Sequence, residues 1–203
     1  MELGICMRDL PVEQVVHLGR FAEDHNYSAI YLPETGNRTP EGGLAGRSPW
    51  ISLAAMFAAT TNVHGAVGVA AAPFRSLPHL ALSAATLNEQ SDGRFSLGIG
   101  VSHREAATRL GVPFPTSPLR WMEVACDELM GQARFGVTFG QGFPVLVGAL
   151  GPKMVEMGAA RSDGLVLNWL TPQHAQETVA LAHEIGRANG RTPYTVLYVR
   201  LSP

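Results

Sequence analysis

Lysine is almost missing from this chain: of 15 basic residues, Lys153 alone is a lysine and the others are arginines. Charged residues of both signs make up 16% of the 203 positions, and the formal net charge is −2. No basic run or aromatic-interleaved basic stripe occurs, so a surface for nucleic acid is not expected. Cysteine is as scarce. Cys6 and Cys126 are too few and too far apart for a disulfide framework or a zinc site, and their apolar neighbours make each read as a buried thiol. His17, His25, His79, His174 and His183 form no His-Glu-x-x-His pattern, so no metal is indicated. A Gly-x-Ser-x-Gly elbow for a serine nucleophile is also lacking. No apolar run reaches the roughly 18 residues of a membrane span. Residues 1–9, with Glu2 near the start and no long apolar stretch, do not read as a secretory signal. The expectation is a cytoplasmic protein with neither a membrane nor a nucleic-acid partner.

What is present is apolar and regularly punctuated. A hydrophobic fraction of 46% supplies a sizeable core and is inconsistent with a disordered chain. The length exceeds the usual domain of about 100–150 residues but falls short of the roughly 250 of a full (β/α)8 barrel. A single domain over 1–203 is expected. Strand-like runs at 3–6, 29–32, 63–72, 95–101, 145–148, 165–167 and 194–201 alternate with helical patterns at 12–22, 49–60, 77–90, 119–132, 152–160 and 172–189. Ser48-Pro49 reads as an N-cap followed by a first helical proline, and Gly190 as the residue just past a helix. The stretch 33–47, rich in glycine and proline, reads as a loop, 105–118 holds three prolines, and 135–142 reads as a short hairpin or a loop. Strand then helix, repeated, means a parallel sheet with right-handed crossovers. The pattern alone permits both an open doubly wound sheet and a barrel.

In either architecture ligands sit beyond the C-terminal ends of the strands. The segment Gly148-Ala149-Leu150-Gly151-Pro152-Lys153 lies there, between a strand and a helix. Its glycines permit close backbone approach, and a helix N-terminus offers free N–H groups to a phosphate or carboxylate, with Lys153 adding charge. It has no Walker A ending, and a Gly-rich turn without a ligand accounts for it equally well. Gly98-Ile99-Gly100-Val101-Ser102-His103 begins like a dinucleotide fingerprint but lacks the third glycine. Glycine inside a strand marks the close approach of something bulky or planar. His103 can exchange a proton with a ligand or simply cap a helix. Glu34, after the second strand, is a candidate acid, base or hydrogen-bond acceptor, or a solvated loop residue. Asn168 and Trp169 offer an amide and an aromatic wall to a substrate, or a structural tryptophan. Met154 and Met157, at helical spacing, read as core.

Two long stretches carry a family resemblance. Residues 80–103, LALSAATLNEQSDGRFSLGIGVSH, and residues 145–169, with GALGPKM and SDGLVLNW, resemble the luciferase-like monooxygenase superfamily, whose members use FMN or the deazaflavin coenzyme F420. The likeness is greater to the F420-dependent branch. It implies a (β/α) TIM-type barrel with the cofactor ring at the C-terminal face. By the same resemblance, Glu34 lies beside the ring, and Gly68-Val69 forms a non-prolyl cis peptide backing it. Val101, Ser102 and His103 border it, Gly148 to Lys153 hold the phosphate, and Asn168 faces the substrate.

This chain departs from that pattern in length. Only 133–144 stand where relatives carry a longer insertion, and about seven strands are expected, with the eighth βα unit reduced or missing. Such an abridged barrel leaves two strand edges unpaired, from which a homodimer is expected. The expected function is an oxidoreductase moving a hydride between F420 and a small organic substrate, with Glu34 and His103 handling protons. The alternatives are an FMN-dependent monooxygenase or reductase, and a shortened barrel that binds a ligand or rearranges an intermediate without redox chemistry.

Overall fold

The computed structural model describes residues 2–130, 137, 139–140 and 142–199. Seven parallel strands form one sheet: β1 (Gly4–Cys6), β2 (Ala29–Leu32), β5 (His64–Ala71), β6 (Phe95–Gly100), β7 (Val145–Ala149), β8 (Gly164–Asn168) and β9 (Tyr194–Tyr198). They follow one another in that spatial order with no strand out of sequence, and every ladder is parallel. An unbroken order of this kind curls into a barrel, whereas a doubly wound sheet reverses its order at a switch point. The sheet is a nearly closed, abridged TIM-type barrel. Between the strands run α1 (Val12–Asp24), α2 (Pro49–Ala58), α3 (Leu77–Gln90), α5 (Pro118–Met130), α6 (Pro152–Arg161) and α7 (Pro172–Ala188).

Proline sets most helix starts. Pro49, Pro78, Pro152 and Pro172 each occupy one of the first two helical positions, where a missing N–H costs nothing. Ser48 stands at the N-cap of α2 as expected but makes no side-chain cap bond, whereas the Thr171 hydroxyl accepts the His174 N–H at 3.3 Å. Gly190 follows α7 with φ 70°, a left-handed value that glycine adopts freely.

The glycines reveal which face of each strand looks inward. A methyl group on Gly65 would strike Phe57, Leu53 and Met56 of α2, and one on Gly158 of α6 would strike Leu165 and Val147. Those contacts belong to the layer between sheet and helices, which holds most of the core, including Ile30, Leu53, Phe95, Ile99 and Leu167. On the other face, Gly4, Gly68, Gly98, Gly100 and Gly148 meet Tyr31, Tyr198 and Val69, whose side chains fill the barrel interior.

Two readings of the sequence change and one helix is added. The loop at 33–47 contains a two-stranded antiparallel hairpin, β3 (Asn37–Arg38) with β4 (Leu44–Ala45), and the stretch after residue 103 forms α4 (Arg104–Leu110), which packs against β3. Gly111, at φ 69°, closes that helix, and prolines 113, 115 and 118 all fall after it and so do not prevent it. Cys126 is buried, with its thiol pushed up to about 12 by burial, but Cys6 is exposed, at the end of the edge strand β1. The hairpin-or-loop expectation for 135–142 and the strand end at 199–201 fall largely outside the described residues.

At the N-terminal ends of the strands the barrel is pinned by Arg94 and Glu23. Arg94 donates to the carbonyls of Ser91 at 2.7 Å, Val63 at 2.9 Å and Thr60 at 3.1 Å, and its guanidinium lies 5.0 Å from the Phe57 ring centre. Glu23 Oε1 accepts the N–H groups of Thr61 at 2.7 Å and Val63 at 3.0 Å, together with that of Asn62. Partial burial works against the Glu23 charge, but these N–H groups, with Arg94 nearby, outweigh it and hold the carboxyl below the usual glutamate range. A lowered folded-state pKa adds stability that is complete above the unfolded value, about 4.3 for Glu, and fades as pH falls through the folded value. Glu23→Gln is therefore expected to lose about 1 kcal/mol at neutral pH. The loss should vanish in acid, which urea melts of both proteins across pH would show as converging curves.

Candidate functional site

The rim at the C-terminal ends of the strands gathers most of the expected site residues. Glu34 follows β2 and is the best-connected of them. Its carboxylate accepts the Trp50 indole N–H at 3.3 Å, the Ala71 N–H at 3.0 Å and the Arg75 Nε at 3.0 Å, and Arg75 Nη2 completes an ion pair. The Glu34 side chain is 14% exposed and that of Arg75 40%, and the guanidinium stands 5.5 Å from the Trp50 ring centre. Glu34 also donates its own N–H to the Val69 carbonyl at 3.2 Å. A carboxylate satisfied by donors from three residues is built to hold a neighbouring segment in place.

That segment is β5. Its ladder with β6 shifts register between Val67 and Ala70, and the Gly68–Val69 peptide is cis, as the resemblance implies. The Val69 side chain lies within the barrel against three glycines. A methyl on Gly98 would come within 3.0 Å of it, one on Gly100 within 2.7 Å, and one on Gly148 within 3.3 Å. The bulky group that approaches these strand glycines is thus Val69 itself.

The remaining candidates separate into rim and core. Val101 packs partly on the core, Ser102 has a left-handed φ of 61°, and His103 is exposed at the N-cap of α4. Of the loop after β7, Gly148 and Ala149 are strand residues and Ala149 is buried in the core, whereas Leu150, Gly151, Pro152 and Lys153 are exposed. A methyl on Gly151 would meet nothing within 4 Å. The first turn of α6 has no side-chain cap, and among the described residues no carboxylate pairs with Lys153. After β8, the Asn168 Oδ1 accepts the Trp169 N–H at 3.0 Å and braces Trp169 at φ 61°, with the indole 67% exposed. Non-glycine residues at positive φ cost roughly 1–3 kcal/mol each and concentrate at functional sites. Ser102 and Trp169 both stand at strand exits.

Sequence reasoning passed over Trp50, Arg75 and Tyr198. Arg75 lies in the exit loop of β5, so weighing each strand exit alike was the signal available. Tyr198 reaches the site only through tertiary folding. Among the described residues there is no group of three His, Cys, Asp or Glu that could hold a metal ion, and no helix is long and apolar enough to cross a membrane.

A parallel (β/α) barrel whose polar residues and open helix N-terminus gather at one rim belongs to the class of barrels that bind small ligands at the C-terminal face. Within that class, the chain belongs to the luciferase-like monooxygenase family, whose model matches residues 7–202. The 5,10-methylenetetrahydromethanopterin reductase of Methanolobus tindarius is 25% identical over 202 residues, covering 92% of this chain and 59% of the reductase. The chain thus spans about six-tenths of that relative's length. An F420-dependent secondary alcohol dehydrogenase, solved with an F420–acetone adduct, has a similar fold, with a TM-score of 0.80 at 16% identity over 97% of this chain and 68% of the other. The oxygenating constituent of 3,6-diketocamphane monooxygenase of Pseudomonas putida, solved with FMN, gives 0.73 at 16% identity over 97% of this chain and 66% of the other. These relatives are a reductase, an F420-dependent dehydrogenase and an FMN-bound monooxygenase.

Proposed function

We propose that this chain is an F420-dependent oxidoreductase acting on a small organic substrate. The observation that carries the reading is the open first turn of α6, where Gly151, Pro152 and the exposed Lys153 stand at the rim beside the Ser102–His103 strand exit. The residues fit a phosphorylated, planar cofactor. Gly151 leaves room for an incoming group, the α6 N–H groups and the Lys153 ammonium suit its phosphate, and Val69 gives the interior an apolar floor.

When bound, the deazaflavin supplies hydride transfer at its C5 carbon. The protein's own work is placement. Lys153 and the α6 terminus hold the phosphate, and the segment fixed by Glu34 sets the depth of the ring. Trp169 walls the substrate side, and Asn168 holds Trp169 in position. His103, an exposed imidazole at the rim, is the residue free to hold or pass a proton to the substrate. Glu34, committed to Arg75 and Ala71, acts by positioning. The homodimer expected from the two unpaired sheet edges belongs to the same reading.

Titration of the purified protein with F420, followed by fluorescence, tests it: saturable binding is expected, and Lys153→Ala should weaken it about tenfold, the equivalent of 1.4 kcal/mol. Binding of neither F420 nor FMN ends this reading in favour of a non-redox barrel. The likeness to the FMN-bound monooxygenase favours FMN as the second choice, and a protein that purifies yellow would select it.

A further inference from the structure

The register shift in β5 takes Gly68 and Val69 out of the ladder with β6, so their carbonyls need donors from elsewhere. The Val69 carbonyl receives the Glu34 N–H, as described above. The Gly68 carbonyl receives the hydroxyl of Tyr198 at 2.8 Å, from β9, 130 positions away in sequence and on the far side of the barrel. Tyr198 is fitted to this task. Its ring meets Tyr31 edge-on with centroids 5.9 Å apart, and its hydroxyl stands where a methyl on Gly68 would come to 2.2 Å. Glycine at 68 and tyrosine at 198 are therefore complementary: one leaves the space that the other fills.

We propose that Tyr198 is a positioning residue whose hydroxyl, reaching across the barrel to the Gly68 carbonyl, fixes the β5 segment carrying Val69 and so sets the floor on which the cofactor ring rests. This rests on the proposed cofactor site, and it extends that site to a strand none of whose residues the rim contributes. Burial, with the Cys6 thiol and the Tyr31 ring close by, pushes the Tyr198 phenol well above its ordinary range, so the hydroxyl keeps its proton and remains a donor. Cys6 and Tyr31 are the titratable groups that act on Tyr198, and Tyr194 and Glu2 act on Tyr31 in turn.

The test is Tyr198→Phe, which keeps the ring and its packing on Tyr31 and removes the hydroxyl that bonds the Gly68 carbonyl and also meets the Cys6 thiol. Ring binding should weaken about three- to tenfold, the range that one neutral hydrogen bond spans. The absorption band of bound F420 or FMN should shift from its wild-type position, while affinity for ribitol 5-phosphate, which carries the phosphate without the ring, stays unchanged. Tyr31→Phe, which removes a neighbouring hydroxyl that does not reach Gly68, should leave ring affinity alone. Unchanged ring affinity and an unshifted band in Tyr198→Phe overturn the proposal, as does equal weakening of ribitol 5-phosphate. If the wild-type protein binds neither ring, the functional reading fails separately. Tyr198 is then judged by amide hydrogen exchange over residues 67–72, where severalfold faster exchange confined to that segment upholds its role and unchanged exchange refutes it.

Discussion

Gly98→Ala is expected to abolish the folded barrel or to cost about 3 kcal/mol or more, at the upper end of what overpacking a core produces. The added methyl would lie 2.5 Å from the Val67 carbonyl oxygen, a backbone atom fixed in the β5–β6 ladder, and 3.0 Å from Val69. The backbone oxygen cannot rotate clear. Gly100→Ala sets up a different conflict, because its methyl would meet only the Val69 side chain, at 2.7 Å. It should cost about 1–3 kcal/mol alone, and Val69→Ala should relieve it while failing to relieve Gly98→Ala. Urea unfolding of the two single glycine variants, Val69→Ala and both doubles gives the coupling energies directly. Equal rescue of both glycine variants would show that Val69, and not the β5 backbone, is what Gly98 accommodates.

Glu34→Ala should be nearly as damaging, at about 1–3 kcal/mol, since it leaves the Ala71 N–H, the Trp50 indole and the more exposed Arg75 guanidinium without their acceptor. Removing Arg75 as well should recover part of the loss, because the uncompensated cation goes with it. Ring binding should fall in step with stability, since the Glu34 carboxylate holds the Ala71 N–H at the end of the β5 segment that carries Val69. The discriminating variant is Glu34→Gln. A positioning role predicts weaker cofactor binding together with lower stability. A role in proton transfer predicts normal binding and normal stability with lost turnover, and that outcome would make Glu34 a catalytic residue.

These two predictions mark where sequence reading succeeds and where it stops. The strands, most of the helices and the rim position of Glu34, His103 and Lys153 follow from local signals: apolar runs, proline at helix starts, and the rule that ligands gather at strand exits. The pattern alone left sheet and barrel both open, and the family resemblance chose between them correctly. The hairpin at 37–45 escaped notice because its strands are two residues long, too short for any alternation to register. The glycines at 98 and 100 announced a close approach, but the approaching group, Val69, sits on another strand. Tyr198 carried no signal at all, since a tyrosine in a terminal strand looks like any β-former until the barrel curls and brings it to Gly68. Glu34 was found for its chemistry, yet its partners Arg75 and Trp50 decide that chemistry, and pairing across elements is not written in local order.

Lys153 has a practical consequence. It is the chain's one side-chain primary amine, and it stands exposed at the start of α6. An amine-directed reagent therefore addresses a single side chain, and that side chain sits in the loop assigned to the phosphate. Most proteins must be stripped of competing lysines before a fluorophore or cross-linker can be placed at one chosen point. This one offers an intrinsic handle there, which a bound phosphate would shield and an empty loop would leave open to acylation.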